Sequence, residues 1–531
     1  GMTQPVLRPF GKTRSLRECL ANWLRKAEQS DLDAVKAFWN QNIFPRQDQD
    51  NSFQKFWDRA VHDGYALTLP LPAISSPFQT GSTKTLTFKT SSGNNQYDLV
   101  LYQKIGMLDG RHAHNPWLHE LPDPVTKATW DNYICVAPAL AKKLNIEAGD
   151  IVKIAAGEIA AELPVLLQPG QHEKVVAIAV GYGRTGTDRF SRIGPEWLES
   201  KLMVEEGGTI GKNAFALAAR RGKSIGFENF VTLSPTSGHK ELALTQTHHT
   251  ITVPEKLGGH RRNMVRETSL AAYKKDPSSG NPAEHELLQL WPKDYEYTGH
   301  HWGMAIDLSR CTGCSACVIS CQAENNVAVV GRDEVLRRRE MHWIRIDRYY
   351  SGNDGDVDVM HQPVMCQHCD HAACEGVCPV LATVHSDEGI NQQIYNRCVG
   401  TRYCANNCAY KVRRFNWFDY HRKNKRENLV LNPDITTRTR GVMEKCSLCV
   451  QRIQEAKAAA KQKGQTLLDG DIQLACQQSC PADAIVFGDM NDPESRISKL
   501  IESPRHYRML EEMNFRPTVG YLTKVRNRDT A

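Results

Sequence analysis

The sequence has 531 residues, of which 40% are hydrophobic and 24% charged, and its formal net charge is +6 at pH 7. Such a chain is long enough for several domains that each bury a core. The mild charge argues against a nucleic-acid partner, and no apolar run of about 18 residues predicts a transmembrane helix. The first thirty residues show no signal-peptide pattern. We therefore expect a protein that stays in the cytoplasm, or is exported with a partner or by a signal elsewhere.

Residues 1–105 mix helical and strand patterns. The segment SDLDAVKAFWNQNIF, residues 30–44, places apolar side chains at helical spacing after a capping serine. Residues 83–92 and 97–106 alternate like strands. Residues 106–235 are predicted to be mainly β, because residues 149–171 and 174–183 are β-branched runs punctuated by Gly and Pro. This pattern favours a barrel or a sandwich.

A polar, turn-rich connection is predicted over residues 236–298, and a cysteine-rich region follows over residues 299–531. Only Cys19 and Cys135 of the seventeen cysteines precede residue 300; the other fifteen lie between Cys311 and Cys480. Gaps of two and three residues between them are typical of metal ligands and argue against a disulfide framework.

The crowded cysteines form four motifs. Three thiolates in a tight loop can hold three irons of a cubane, while a fourth ligates the other cluster of a pair. Four motifs therefore predict four clusters. The insertion VQRIQEAKAAAKQKGQ after the second cysteine of the last motif predicts a basic helix. The motifs are Cys311, Cys314, Cys317, Cys321; Cys366, Cys369, Cys374, Cys378; Cys398, Thr401, Cys404, Cys408; and Cys446, Cys449, Cys476, Cys480.

Ligand sets follow if the outer motifs exchange their fourth cysteines and the inner motifs do the same. Sites 1, 2 and 4 would each hold a 4Fe-4S cluster, with iron bound through the cysteines alone. The predicted sets are Cys311, Cys314, Cys317 and Cys480 (site 1); Cys366, Cys369, Cys374 and Cys408 (site 2); Cys378, Cys398 and Cys404 (site 3); and Cys321, Cys446, Cys449 and Cys476 (site 4).

Thr401 stands in site 3 where the motif would otherwise supply a cysteine. A threonine hydroxyl is a poor iron ligand at neutral pH, because it holds its proton more tightly than a thiol does. We therefore predict a 3Fe-4S cluster at site 3. The alternatives are a 4Fe-4S cluster with water or hydroxide on the fourth iron, and an empty site.

A basic run surrounds site 3. Between Asn396 and Glu427 the chain carries nine Lys or Arg residues, and Asp419 is the only acid. Such runs are usually solvated faces. Here the charges could also raise the potential of an anionic cluster or dock an acidic or membrane-embedded partner. Zinc held by paired cysteines is the alternative to clusters, and the remote fourth cysteines argue against it.

Residues 299–531 resemble the four-cluster ferredoxin subunits of the complex iron-sulfur molybdoenzyme family, in CTGCSACVISCQAENNVAVVG, CQHCDHAACEGVCPVLAT, CVGTRYCANNCAYKVRRFNW and CSLCVQRIQEAK. Residues 106–235 resemble the molybdopterin-dinucleotide-contacting β-barrel domain of molybdopterin oxidoreductases, in NPWLHELPDPVTKATWDNYICVAPALAKKLNIEAGDIVKI and LQPGQHEKVVAIAVGYGRTG. The order of these two regions along the chain, together with the segment VGTRYC, is similar to that in the fused subunits of alternative complex III. The implied fold class is α+β: the tail of a molybdopterin-oxidoreductase-like region (1–105), a C-terminal-type β-barrel and a four-cluster bacterial ferredoxin-like domain.

The resemblance implies an electron-transfer subunit of a quinol-oxidising respiratory complex, with no catalytic residues of its own. It would lie at the periplasmic face of the bacterial inner membrane, between an integral-membrane quinol-binding subunit and multihaem and monohaem cytochrome c subunits. No molybdenum or pterin is expected, because the chain has no room for the domains that hold them. The alternatives are the iron-sulfur subunit of a molybdenum reductase of polysulfide or an oxyanion, and a zinc-stabilised scaffold.

Overall fold

The structure, a computed structural model, describes residues 13–24, 30–70, 95–191, 202–221, 224–226, 228–251, 264–281, 295–353, 356–420 and 426–527, with a few residues between these ranges. The chain forms two compact units, Gly1–Phe88 and Lys89–Ala531. The strand predicted over residues 83–92 lies outside the described residues.

Helices and aromatic side chains build the described part of the first unit. The helices are α1 (Leu16–Trp23), α2 (Asp31–Phe38) and α3 (Phe53–Asp63). The hydroxyl of Ser30 accepts a hydrogen bond from the backbone N–H of Asp33 at 3.1 Å and so caps α2. The helical path continues through Trp39–Ile43 as a π-turn, which confirms the helix predicted over residues 30–44. Neighbouring rings lie with centroids 5.6 to 6.4 Å apart among Trp39, Phe44, Phe53, Phe56 and Trp57.

A closed barrel opens the second unit, as the β-branched runs predicted. Its region contains β1 (Tyr97–Tyr102), β2 (Ile134–Val136), β3 (Asp150–Ala156), β4 (Ile159–Leu167), β5 (Val175–Ala179), the small hairpin β6 (Ala219–Arg221) and β7 (Ser224–Gly226), and β8 (Glu228–His239). Six of these close in the order β1-β5-β2-β4-β3-β8. Alternate residues such as Val152 and Ile154 point inward and are fully buried, as the two-residue period of a strand requires.

The connection predicted over residues 236–298 runs between the barrel and the cysteine region. Thr129 donates hydrogen bonds to the carbonyl of Ala243 from its N–H and its hydroxyl, at 2.9 and 3.0 Å. The amide of Gln246 donates to the carbonyl of Arg348 at 2.8 Å. The connection contains β9 (Glu267–Ser269) and α6 (Leu270–Lys275), whereas α4 (Pro116–Glu120) and α5 (Pro138–Leu144) lie between strands of the barrel region.

The cysteine region combines short helices with small sheets. Its helices are α7 (Ala316–Glu324), α8 (Arg332–Leu336), α9 (Tyr403–Asn407), α10 (Val450–Gln462), α11 (Ala475–Gln478) and α12 (Arg496–Ile501). Its strands are β10 (Trp302–Asp307), β11 (Arg345–Asn353), β12 (Asp356–Val364), β13 (Thr383–His385), β14 (Asn391–Gln393), β15 (Arg414–Phe415), β16 (Met443–Glu444), β17 (Ile485–Asp489), β18 (His506–Tyr507), β19 (Val519–Leu522) and β20 (Lys524–Arg526). A central sheet runs β17-β10-β19-β18, and α10 confirms the helix predicted in the last motif.

Membrane-spanning helices were not expected from the sequence. In the part of the chain that the structure describes, no helix has both the length and the apolar character needed to cross a membrane.

Candidate iron-sulfur centres

The first motif begins in the loop between β10 of the central sheet and α7 and continues into that helix. The N–H of Cys311 donates to the carbonyl of Asp307 at 3.0 Å, which folds the loop back on β10. Gly313 has φ +72°, and a Cβ there would lie 2.6 Å from the ring of His361, so only glycine allows this close approach. Cys317 and Cys321 follow one helical turn apart on α7, and both are buried. The loop and the first turn of α7 therefore carry three thiols, and the next turn of α7 carries the fourth.

Site 1 brings Cys480 back to this loop. Burial, and then the neighbouring thiols of Cys311, Cys314 and Cys480, raises the pKa of the Cys317 thiol. The hydroxyl of Ser479 donates to that of Ser320 at 2.7 Å, tying α11 to α7. A set of thiols that raise one another's pKa is suited to a cation that holds them as thiolates, as iron does.

Site 4 is the reciprocal set. Burial, and then the thiols of Cys446, Cys449 and Cys476, raises the pKa of Cys321 well above its usual range. The Asn325 amide donates to the sulfur of Cys321 at 3.6 Å and to that of Cys449 at 3.9 Å. Amide donors to cluster sulfur are one of the means by which a protein sets a cluster's potential.

Site 2 forms a lined cavity. Burial, and then the thiols of Cys366, Cys408 and Cys374, raises the pKa of Cys369 well above its usual range. All four cysteines line one cavity with apolar and cationic neighbours. The donor set and the shared cavity fit a cluster held by four thiolates. These neighbours include Ala372, Ala373, Tyr410, Val412, Arg413 and Phe515.

Site 3 differs in its sulfur environment. The sulfur of Cys378 accepts from the N–H of Ala382 at 3.2 Å, and that of Cys398 accepts from Met443 at 3.3 Å. Burial raises the pKa of Cys378, but three backbone N–H groups and Arg413 outweigh it, and the net pKa is lowered. Cys404 is buried on α9, and Thr401 is exposed in the loop before it.

No disulfide joins any of the seventeen cysteines. Among the described residues, no three Cys, His, Asp or Glu side chains lie close enough to hold a single metal ion. Cys135 lies outside the four sites, and burial raises the pKa of its thiol to about 12.

Polar residues that contact the cysteines were not predicted from their positions. Asn325 and Asn391 have no motif signal, because an asparagine four or seven residues from a cysteine is unremarkable in sequence. Arg413 falls within the basic run that usually marks a solvated face, yet it is only 6% exposed. The only sequence feature that could have marked Arg413 as buried is its position next to the apolar Val412, just after the third motif.

Comparisons with known proteins agree on the cysteine region. Residues 310–382 match the model of the 4Fe-4S dicluster domain family. The iron-sulfur cluster-binding subunit of menaquinone reductase from Nitratidesulfovibrio vulgaris is 42% identical over 231 residues, covering 42% of this chain and 89% of the relative. The ferredoxin-like region and the iron-sulfur clusters expected from the cysteines are therefore confirmed.

Other relatives cover a similar share of the chain. The iron-sulfur subunit 1 of the Hdr-like menaquinol oxidoreductase from Archaeoglobus fulgidus is 33% identical over 239 residues, covering 41% of this chain and 82% of the relative. The B subunit of polysulfide reductase from Wolinella succinogenes is 29% identical over 216 residues, covering 41% of this chain and 91% of the relative. Among solved structures, acetylene hydratase from Pelobacter acetylenicus aligns with 27% of this chain and 18% of its own at 12% identity, and its TM-score of 0.19 is too low to define a fold.

Proposed function

The chain belongs to the family of iron-sulfur subunits that serve complex iron-sulfur molybdoenzymes, and from this premise we propose that it is the electron-transfer subunit of a quinone-linked reductase complex of that type. The observation that carries the proposal is the reciprocal gathering of thiols in sites 1 and 4, where α7 supplies Cys317 to one set and Cys321 to the other. Clusters held by these two sets would have ligands one helical turn apart on α7, which suits electron transfer between them.

The four sites would hold three 4Fe-4S clusters and one 3Fe-4S cluster. Each bound cluster supplies a one-electron redox couple whose potential depends on burial, nearby charge and hydrogen bonds to sulfur. The protein's part is to fix these surroundings. Asn325 donates to two sulfurs of site 4, whereas backbone amides donate to Cys378 and Cys398 of site 3. The sites therefore differ in the hydrogen bonds that stabilise added negative charge.

The site 3 end is the proposed quinone side. Apolar side chains are exposed around its loops: Leu381 is 63% exposed, Val399 64% and Tyr403 58%. Arg397 and Arg402 are exposed beside them. An apolar patch with basic neighbours suits a membrane-embedded partner near anionic lipid. The names of two relatives, a menaquinone reductase and a menaquinol oxidoreductase, also favour a quinone-linked complex. The periplasmic face of the inner membrane remains part of this proposal.

A second candidate is the fused subunit of alternative complex III, with cytochrome c subunits as electron acceptors. It is favoured by the presence of a closed barrel and the cysteine sites in one compact unit. The polysulfide reductase relative favours the molybdenum-reductase assembly instead. Metal analysis of the complex purified from its host separates the two: stoichiometric molybdenum or tungsten supports the reductase, and haem c without either metal supports the second candidate.

Electron paramagnetic resonance (EPR) of the purified protein tests the cluster assignment. We expect a 3Fe-4S signal in the oxidised protein that disappears on reduction, and signals of reduced 4Fe-4S clusters that appear in its place. Chemical analysis should find equal amounts of iron and acid-labile sulfide, except for the one iron that site 3 lacks. A colourless protein that binds zinc and no iron would overturn the proposal.

A further inference from the structure

Arg413 is a buried cation held in a fixed orientation beside site 2. One terminal nitrogen, Nη1, donates to the sulfur of Cys374 at 3.4 Å and to Asn391 Oδ1 at 3.5 Å. The other, Nη2, donates to the hydroxyl of Thr383 at 2.7 Å and to the side-chain oxygen of Gln393. Three of these four partners lie on the β13–β14 hairpin. The hairpin therefore aims the planar guanidinium at a cluster ligand.

The same guanidinium also lies near site 3, because the Thr383 hydroxyl that accepts from Nη2 follows Ala382, whose N–H donates to the sulfur of Cys378 at 3.2 Å. Burial lowers the pKa of Arg413, but the thiols of Cys374, Cys404 and Cys366 outweigh it and leave the pKa raised. Two of these cysteines belong to site 2, and Cys404 belongs to site 3. Arg413 is in turn among the groups that lower the pKa of Cys378, a second site 3 ligand. One side chain thus stands between the two sites.

A second buried cation, Lys445, contacts the same asparagine, Asn391, as Arg413 does. We call the group of Arg413, Asn391 and Lys445 the hub. Lys445 is 1% exposed, and its ammonium donates to the carbonyls of Cys446 and Asn391. The Asn391 amide donates to the sulfur of Cys374 at 3.9 Å. Asn391 therefore contacts both cations and a site 2 ligand, and Lys445 is adjacent in sequence to a ligand of site 4.

Neither cation has a carboxylate partner among the residues that the structure describes. The Glu375 carboxylate adjoins the hub, but it accepts from the Asn391 amide at 2.6 Å and lies 2.6 Å from the ring nitrogen Nδ1 of His385. A buried charge without a partner costs several kcal/mol, so buried charges are paired or lie beside other ions. The Cys374 sulfur, which Arg413 contacts, would be the available counter-charge once iron and sulfide are bound, as part of an anionic cluster.

We propose that Arg413, supported by Lys445, is the fixed counter-ion that raises the reduction potentials of the clusters in sites 2 and 3 together. This inference rests on the proposed electron-transfer function. Reduction of either cluster adds one electron, supplied by the quinol or reductant of the complex, and one negative charge. A positive charge beside the ligands favours that reduced form, and no proton leaves Arg413. The two sites would then form the electron-accepting segment of the path.

The test is an EPR-monitored redox titration of the purified holoprotein and its Arg413→Gln variant. Gln keeps hydrogen-bonding capacity but removes the charge. We expect the equilibrium constant for reduction to fall at least tenfold at sites 2 and 3, which corresponds to about 59 mV for a one-electron couple. Site 1 should keep its potential, because none of its ligands contacts the hub. Arg413→Lys, which keeps the charge, should restore most of the shift.

Arg414→Gln is the matched control. Arg414 is the next residue, is also largely buried, and pairs with the carboxylate of Glu340 at 2.9 Å rather than with a cysteine. Unchanged potentials in Arg413→Gln, or an equal shift in Arg414→Gln, would overturn the proposal. If Arg413→Gln loses iron from sites 2 and 3, recovery in Arg413→Lys supports a role of charge, and continued loss overturns it. A wild-type protein without clusters would instead overturn the proposed function.

Discussion

Thr401 is the single residue on which the cluster type at site 3 depends. Its side chain is exposed in the loop between Cys398 and α9, and the backbone turns there with Arg402 at φ +62°. Thr401→Cys should add a fourth thiolate, so that the site takes up a fourth iron and its potential falls. EPR should then show no 3Fe-4S signal in the oxidised protein and one more 4Fe-4S cluster after reduction.

Thr401→Ser is the control for that substitution. It keeps a hydroxyl and changes the side chain by one methyl group, so the oxidised 3Fe-4S signal should persist. If Thr401→Cys also keeps the wild-type spectrum and iron content, the missing thiolate does not decide the cluster type.

Single residues also show how far the sequence could define the sites. The cysteine sets of sites 1, 2 and 4 are predictions from spacing, because the fourth cysteine of such a motif typically ligates the other cluster of a pair. Arg413 and Lys445 could not be assigned in this way, since their partners on the β13–β14 hairpin lie tens of residues away in sequence. A run of Lys and Arg residues in the sequence shows only that the segment is basic. The fold is needed to tell which of these residues are buried and which are exposed.

At the scale of elements, α10 has one anchored and one exposed end. Ile453, in its first turn, is fully buried in the core that contains Cys449 and Cys476. Ile453→Ala should cost about 2–5 kcal/mol of local stability, because it leaves a cavity beside two site 4 ligands. We expect faster release of site 4 iron to a chelator, followed by the loss of its EPR signal.

Ala459→Gly is the control within the same helix. Ala459 is exposed, and glycine there costs only about 1 kcal/mol of helix stability. Iron release at the wild-type rate is expected. Equal rates for Ile453→Ala and Ala459→Gly would show that packing at the start of α10 does not hold site 4 together.

The barrel strands show where local patterns stop being informative. Residues 97–102 were predictable from their alternation and residues 150–167 from their β-branched runs, but β8 continues to His239, past the barrel boundary expected at 235. Pro235 and Gly238 in β8 are residues typical of loops. Pairing with β3 is retained because the register shifts between Asp150 and Val152, which accommodates the irregularity. Such a bulge depends on how two strands pair, so the sequence of either strand alone does not reveal it.

At the scale of the whole second unit, a buried carboxylate joins the barrel side to the cysteine region. Glu120, at the end of α4, is fully buried and accepts hydrogen bonds from the N–H groups of Val330 and Gly331 at 2.8 to 3.1 Å. Nearby, Arg332 lies 3.5 Å from the carboxylate of Asp131. The contact between the barrel side and the cysteine region therefore depends on buried groups that can carry charge. Its stability should depend on pH.

The direction of that pH dependence follows from Glu120. Burial raises its pKa from the ordinary 4.5 to about 7, although the two backbone N–H groups act in the opposite direction. The folded protein thus binds the proton more tightly than the unfolded chain does. The associated stability is fully present below pH 4.5 and is lost as the pH rises through about 7, with a magnitude of about 3 kcal/mol at most.

Glu120→Gln removes this titration, so its effect should change with pH. Apparent unfolding midpoints, measured at one scan rate between about pH 5.5 and 8.5, should show the wild type losing stability relative to Glu120→Gln as the pH rises. Glu158→Gln, at an exposed position in the turn between β3 and β4, should follow the wild type throughout. A Glu120→Gln difference that stays constant with pH, or reverses, would mean that Glu120 is already ionised in the folded protein at the acidic end of that range. The two backbone N–H donors would then outweigh the cost of burial.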